Sequence, residues 1–236
     1  MKGIVNSPYI NCDAYLDIVG LEALHDEICV GIAQSKILTA VLPSAKNHLD
    51  RYLDPQEKNE IFKKFISLPR EAGPLYLKLK TGWYCGSSVV YIRDMVDNSW
   101  NAFENKKYAS KTKWHDNSNF FPGLQLWLEK LPFKEIGRVL FWLTENDCDM
   151  YPHRDNFEYK EHSNEFIWFN PTKEKRFYIY DESAALKIPV NSSSAFFNDL
   201  DVHGVDRANK LQYTLRVDGI FTDEFRKQLG IDQPVY

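Results

Sequence analysis

From Gly137 to Phe221 the chain is a succession of short β-rich runs cut by turn residues, and this punctuation restricts the fold more than any other feature. The runs are Gly137 to Leu143, Glu165 to Phe169, Arg176 to Tyr180, Leu186 to Val190, Ala195 to Asn198 and Leu211 to Phe221. Asn170-Pro171, Asp181-Glu182-Ser183 and Asn191-Ser192-Ser193-Ser194 separate them. Short strands at this spacing predict two antiparallel sheets packed as a jelly roll. Gly137 to Leu143 is apolar at almost every position, which is the pattern of a strand covered on both faces. The last run alternates: Gln212, Thr214, Arg216 and Asp218 share one face, and Tyr213, Leu215 and Val217 share the other.

Upstream the period differs. Leu21, Leu24, Ile28 and Ile32 recur at helical spacing within Asn11 to Gln34, with Asn11 or Asp13 as the N-cap. Asp54-Pro55-Gln56-Glu57 supplies an N-cap, a proline at N1 and a glutamate at N3 for a second helix that ends at Leu68-Pro69. Leu75 to Lys80 and Val89 to Arg93 read as strands added before the main sheet. Asn98 to Asn119 is polar and irregular, with Lys106, Lys107, Lys111 and Lys113 among Trp100, Phe103, Tyr108 and Trp114. A solvated loop with aromatic anchors is the expectation there, in preference to a single-stranded nucleic acid site. Leu124 to Leu131 reads as a short helix closed by Pro132.

A chain of 236 residues with 44% hydrophobic content can bury one sizeable core. We read 1–236 as one mainly β domain with some α: a helical and flanking-strand part at 1–119, a jelly-roll core at 120–221 and a tail at 222–236. The net charge of −4 gives no general attraction to phosphate backbones, so nucleic acid is not the expected partner. Cys12, Cys29, Cys85 and Cys148 form no CxxC pair and read as reduced thiols. The N-terminus has no apolar signal region and no run approaches a membrane span, so a cytoplasmic protein is expected.

The chemistry concentrates in Tyr151-Pro152-His153-Arg154-Asp155-Asn156. On a strand, positions i and i+2 point to one face, so His153 and Asp155 can grip one metal ion. A third ligand is available at His203, next to Gly204 and beyond several strands. Two histidines and one carboxylate with open positions form the ligand set of non-heme Fe(II) oxygenases. Arg216 is a charged residue in mid-strand, and on an interior face it needs an anion. Either it holds a co-substrate carboxylate bidentately or it pairs with Asp218 on its own face. Arg138 is a second candidate for the co-substrate, and Lys210 an alternative; Asn198 and Tyr180 are candidate cavity residues. His162 reads as solvated, and His25, His48 and His115 lack a carboxylate at ligand spacing.

His153-x-Asp155, His203 and Arg216 together resemble the Fe(II)/2-oxoglutarate-dependent oxygenases. Within that superfamily, Phe121-Pro122, the helix after it, Gly137 to Leu143 and Pro152-His153-Arg154-Asp155 are similar to the aspartyl/asparaginyl β-hydroxylase and bacterial proline hydroxylase group. The likeness covers Phe120 to Phe221. It implies a double-stranded β-helix of cupin type with Fe(II) on His153, Asp155 and His203, and 2-oxoglutarate as co-substrate. It also implies dioxygen as oxidant and an amino acid, small peptide or protein side chain as the substrate to be hydroxylated. The subgroup carries its co-substrate arginine at the start of the terminal strand, where Gln212 aligns; Arg216 lies deeper on the same face. A carboxylate ligand at Asp155 favours hydroxylation over halogenation. The alternative reading is a cupin-like module that binds a metal or small ligand without catalysis.

Overall fold

The structure, a computed structural model, describes residues 8–35, 38–41, 86–97, 105–144, 150–153, 165–206 and 212–231. In chain order the elements are β1 (Tyr9–Asn11), a 3-10 turn (Asp13–Tyr15), α1 (Ile18–Glu22), α2 (His25–Gln34), β2 (Leu38–Val41) and β3 (Gly86–Met95). There follow β4 (Thr112–Trp114), α3 (Pro122–Leu128), β5 (Phe133–Thr144), β6 (Met150–His153), β7 (Phe166–Phe169) and β8 (Arg176–Asp181). The chain closes with β9 (Leu186–Pro189), β10 (Ser194–Phe197), β11 (His203–Asp206), β12 (Gln212–Phe221) and α4 (Asp223–Gln228).

The major sheet has the order β1-β10-β7-β12-β5-β3-β2, with β4 added on β3, and the minor sheet the order β6-β11-β8-β9. From β5 onward the chain alternates between the sheets, passing β5 major, β6 minor, β7 major, β8 and β9 minor, β10 major, β11 minor and β12 major. All the pairings are antiparallel. That winding is a double-stranded β-helix, the jelly-roll architecture expected from the strand spacing.

Strand parity sorts the side chains. Tyr213, Leu215 and Val217 join Val139, Phe141, Phe121, Leu124 and Ile28 in the core between the major sheet and the helices. The opposite face meets a second core between the two sheets, built by Phe166, Trp168, Phe177, Ile179, Phe197 and Val205. Gln212, Thr214, Arg216 and Asp218 are buried on that inner side, so the barrel interior holds polar as well as aromatic groups.

The N-terminal region departs from the single helix expected over Asn11 to Gln34. It breaks into β1, a 3-10 turn and two helices. Neither expected residue caps it: Asp17 accepts from Gly20 N at 2.8 Å to start α1. Asp13 instead accepts from Ser193 N (3.0 Å), Ser194 N (2.6 Å) and Ser194 Oγ (2.7 Å), fastening the N-terminus to β10. Helix α2 lies so close to Phe121 that a Cβ at Gly31 would come within 2.4 Å of the ring. Glu27 of α2 accepts from Gly123 N and Leu124 N at 3.0 and 2.9 Å, satisfying amides at the start of α3 that have no partner within the helix. At the other end of the molecule Glu165 takes Arg226 bidentately at 2.6 and 3.0 Å and locks α4 against the barrel. The helix expected at 54–68 and the strand at 75–80 lie outside the described residues.

Residues 105–119 are not the solvated loop their composition predicts. They form 3-10 turns and β4, packed on the major sheet. Gly137 makes this possible, because a Cβ there would stand 2.1 Å from Lys106 O. Glu135 Oε2 accepts from Ala109 N at 3.0 Å, and Arg93 donates to Ala109 O and Thr112 Oγ1, both at 2.8 Å. The segment thus delivers Lys106 through the side of the barrel, where it is fully buried.

Candidate active site

The minor sheet brings two of the proposed ligand positions together. His203 opens β11 and His153 closes β6, and they are direct register partners in the antiparallel ladder, which puts both positions on one face of the sheet. The intervening strands that separate them in sequence are what the alternating topology folds away. Asp155, like Lys210, His48 and His162, lies outside the described residues.

The His203 ring is buried between Phe177 and Phe197, each with its centroid 5.6 Å away. Its Nδ1 lies 2.8 Å from Asp201 O. A carbonyl can only accept, so Nδ1 carries the proton and Nε2 carries the lone pair. A backbone carbonyl on one nitrogen that orients the other toward a metal is the usual support for a histidine ligand. Among the described residues no group of three or more His, Cys, Asp and Glu converges.

Two polar clusters occupy the barrel interior. The first is an ion network. Arg216 Nε donates to Asp218 Oδ1 and Arg216 Nη2 to Asp199 Oδ2, both at 2.9 Å. Arg138 Nε donates to Asp218 Oδ2 at 2.9 Å, and Lys106 Nζ stands 3.5 Å from Asp199 Oδ2. Arg216 also lies over the Phe166 ring at 3.8 Å. Burial works to raise the Asp218 pKa, but Arg138, Arg216 and Lys106 outweigh it and hold the carboxyl below its ordinary value. Burial, with Arg216 adding to it, pushes Lys106 down to about 8. Of the two readings that the sequence allowed for Arg216, the pair with Asp218 is present, extended by Asp199. Arg138 points inward, and its partner is that same Asp218.

The second cluster lies toward the start of β12. Lys175, at the entry to β8, is 3% exposed. Its Nζ donates to Thr214 Oγ1 at 3.2 Å and, at 3.4 Å, to Trp142 O. No carboxylate among the described residues pairs with it, and burial pushes its pKa down to about 7. Gln212 and Thr144 are cross-strand partners beside the Thr214–Trp142 pair. Gln212 Nε2 donates to Glu174 O at 2.8 Å, whereas Gln212 Oε1 and Thr144 Oγ1 are buried with no partner among the described residues.

No local sequence signal marks Lys106, Lys175 or Asp199 as interior residues. Lys175 sits in Thr172-Lys173-Glu174-Lys175-Arg176, which reads as a solvated charged turn, and Asp199 is one of several polar residues before His203. Asn198 bonds within its own turn, to Leu200 N and Asp201. His25 bonds Tyr213 Oη at 2.8 Å, and His115 accepts from Asn117 N at 3.2 Å; both have structural partners.

No family model and no curated protein matches the chain. Among solved structures it is similar to a 2OG-Fe(II) oxygenase family oxidoreductase from Burkholderia pseudomallei, with 13% identity over 86% of this chain and 91% of that one at a TM-score of 0.37. It is also similar to a prolyl hydroxylase from Trichoplax adhaerens, solved with a hypoxia inducible factor peptide fragment, with 11% identity over 92% and 99% of the two chains at 0.36. An RmlC-like cupin from Desulfovibrio desulfuricans aligns with 11% identity over 55% and 84% of the chains at 0.27. These scores are low, and the functional reading rests on the residues themselves.

Proposed function

We propose that the protein is an Fe(II)- and 2-oxoglutarate-dependent dioxygenase that hydroxylates a C–H bond of an amino acid, a small peptide or a protein side chain. The observation that carries this reading is the register pairing of His153 with His203, with the His203 tautomer held by Asp201 O. His153, Asp155 and His203 would hold the iron, a set of two imidazoles and one carboxylate that leaves positions open for other ligands. The chemistry that such a centre supplies when loaded is oxidation by dioxygen coupled to conversion of 2-oxoglutarate to succinate and CO2.

The rest falls to the chain's own groups. Arg216, first expected to meet the far carboxylate of 2-oxoglutarate, already has Nε and Nη2 on Asp218 and Asp199. Lys175 is the better anchor: a buried ammonium with only neutral partners gains from an arriving carboxylate what burial has taken from it. The Thr214 and Thr144 hydroxyls are neighbouring donors able to bond the same carboxylate, whereas the Gln212 Nε2 is already on Glu174 O. Arg216 and Arg138 then keep the interior wall rigid by holding Asp218 and Asp199.

The test is anaerobic titration of the full chain with Fe(II) and 2-oxoglutarate, followed by admission of oxygen. One iron per chain, a weak visible charge-transfer band that needs both additions, and slow succinate release without added substrate are expected. His203→Ala and Asp155→Ala should lose the iron. Iron binding as tight in those variants as in the parent would refute the ligand set. Iron binding without any succinate would leave a cupin-like binding module in place of an oxygenase.

A further inference from the structure

A cleft of about 490 Å³ opens beside β8 and β9, and Lys175 is the one lining residue that the proposed oxygenase chemistry uses. Its size is that of a small-molecule site. Lys173, Arg176 and Lys187 line it, against Asp206 as the one carboxylate among the lining residues. Lys175 contributes to the wall as well, but its ammonium is turned to Thr214 and Trp142 on the major sheet. Three cations facing one anion is an unusual local excess in a chain whose net charge is −4. Such a concave patch concentrates small anions.

The partners sharpen the point. Lys187 is ion-paired with Asp206, and its ammonium lies 4.3 Å from the Tyr178 ring centroid. That pair consumes the only carboxylate. Lys173 and Arg176 are exposed; Arg176 stands opposite Asp206 in the β8–β11 ladder, but that carboxylate is ion-paired with Lys187. Lys173 holds the left-handed backbone region at φ 54°, which glycine or asparagine adopts more readily than lysine. The strained turn keeps a positive charge at the rim where a neutral residue would fit the backbone better. Tyr178 alternates with the interior residues Phe177 and Ile179 along β8, so Arg176 and Tyr178 face the outer side of the minor sheet, while Phe177 and Val190 of the inter-sheet core close the cleft's inner end.

We propose that this cleft binds a small organic polyanion with at least two negative charges, its charged end on Lys173 and Arg176 and its body against Tyr178 and Pro189. The cationic rim supplies charge and the Asn191 side chain a directional hydrogen-bonding group, while the tyrosine and proline give an apolar wall. This site is independent of iron and of oxidation.

The experiment is calorimetric titration of the metal-free full chain with two probes, pyrophosphate and citrate. Saturable binding of at least one probe, one per chain, is expected. Lys173→Gln/Arg176→Gln should weaken it at least tenfold, and Lys173→Glu/Arg176→Glu further. Lys111→Glu/Lys113→Glu changes the net charge as much as the second double variant but on another exposed surface, and should leave the affinity within twofold. Binding of pyrophosphate alone would assign a phosphate compound, binding of citrate alone a polycarboxylate, and binding of both a site selecting charge density. Absence of saturable binding, or equal loss in the Lys111/Lys113 variant, would overturn the proposal.

Discussion

The two polar clusters inside the barrel both draw on the inner face of β12, yet they differ in how their charges are met. At Arg216 and Asp218 every strong charge has a counter-charge within 3.5 Å, with Arg138, Asp199 and Lys106 closing the network, and only Asp199 Oδ1 among its carboxylate oxygens makes no hydrogen bond to the described residues. At Thr214, two residues earlier on β12, Lys175 meets only a hydroxyl and a carbonyl, and the Gln212 and Thr144 oxygens beside it have no partner among the described residues. A satisfied buried network rigidifies. A buried cation without an anion is a cost that folding alone does not explain, and a ligand that brings the anion removes it. The conspicuous arginine is thus scaffold, and the inconspicuous lysine is the proposed contact.

Breaking the satisfied end should have the largest effect. Asp218→Ala leaves Arg138 and Arg216 buried without their shared carboxylate, and loss of one partner of a buried pair costs roughly 3 to 5 kcal/mol. Denaturant unfolding should show that loss with the slope unchanged. If the variant unfolds at the parent midpoint, the network is not structural.

The other end should respond in affinity. Lys175→Met should weaken 2-oxoglutarate binding by roughly 2 to 5 kcal/mol, while leaving folding stability equal or improved because a desolvated cation has gone. Arg216→Met should show the converse, a stability loss with a smaller change in co-substrate affinity. Affinity loss confined to Arg216→Met would reverse the assignment of the two cations.

Next is the support of the ion network. Gly137→Ala would drive a methyl into Lys106 O, and overpacking of this kind costs roughly 1 to 3 kcal/mol. Lys106 should withdraw from Asp199, readable as faster amide exchange over 105–112.

The pH dependence distinguishes the clusters more gently. Lys175 falls from 10.5 to about 7 on folding, so between those values the unfolded chain binds more protons than the folded one. Stability should therefore rise with pH from about 7 toward 10.5 through this group, and Lys175→Met should flatten that rise. Lys106 adds a like contribution from about 8 upward. A stability profile identical in parent and Lys175→Met over this range would mean that Lys175 titrates normally. The smallest effect belongs to the exposed pair Lys134–Asp223, at 2.7 Å with both side chains in solvent. Lys134→Ala should not shift the unfolding midpoint measurably, since water already solvates both charges.

Much of the fold was legible because its signals are local. Turn residues marked β7, β8, β9, β10 and β12, although β5 begins at Phe133, ahead of the expected Gly137, and β11 is absent from the expected strands. The two-residue period of β12 sorted Tyr213, Leu215 and Val217 into the helix-side core and the buried Gln212, Thr214, Arg216 and Asp218 onto the other face. Pro122 and the apolar run after it marked α3, although the structure ends that helix at Leu128 and turns the chain over the next three residues. The break of the N-terminal region into two helices was not legible, because Asp17 and Asp13 each had the composition of a cap and only contact with β10 decided which served as one.

The amino-acid order alone supplies the parts: the alternation that aims a face inward, the His153-x-Asp155 spacing, and a later histidine beside a glycine. Their partners come from the fold. It set His203 opposite His153 across a ladder, gave both carboxylates to Arg216, and drew Lys106 and Lys175 out of apparently solvated charge runs into the barrel. The physical reason is range. Periodicity and turn chemistry act between residues a few positions apart, whereas the environment of a charge depends on what the fold stacks against it. For a lysine that environment decides between a solvated tail and a buried cation in need of an anion.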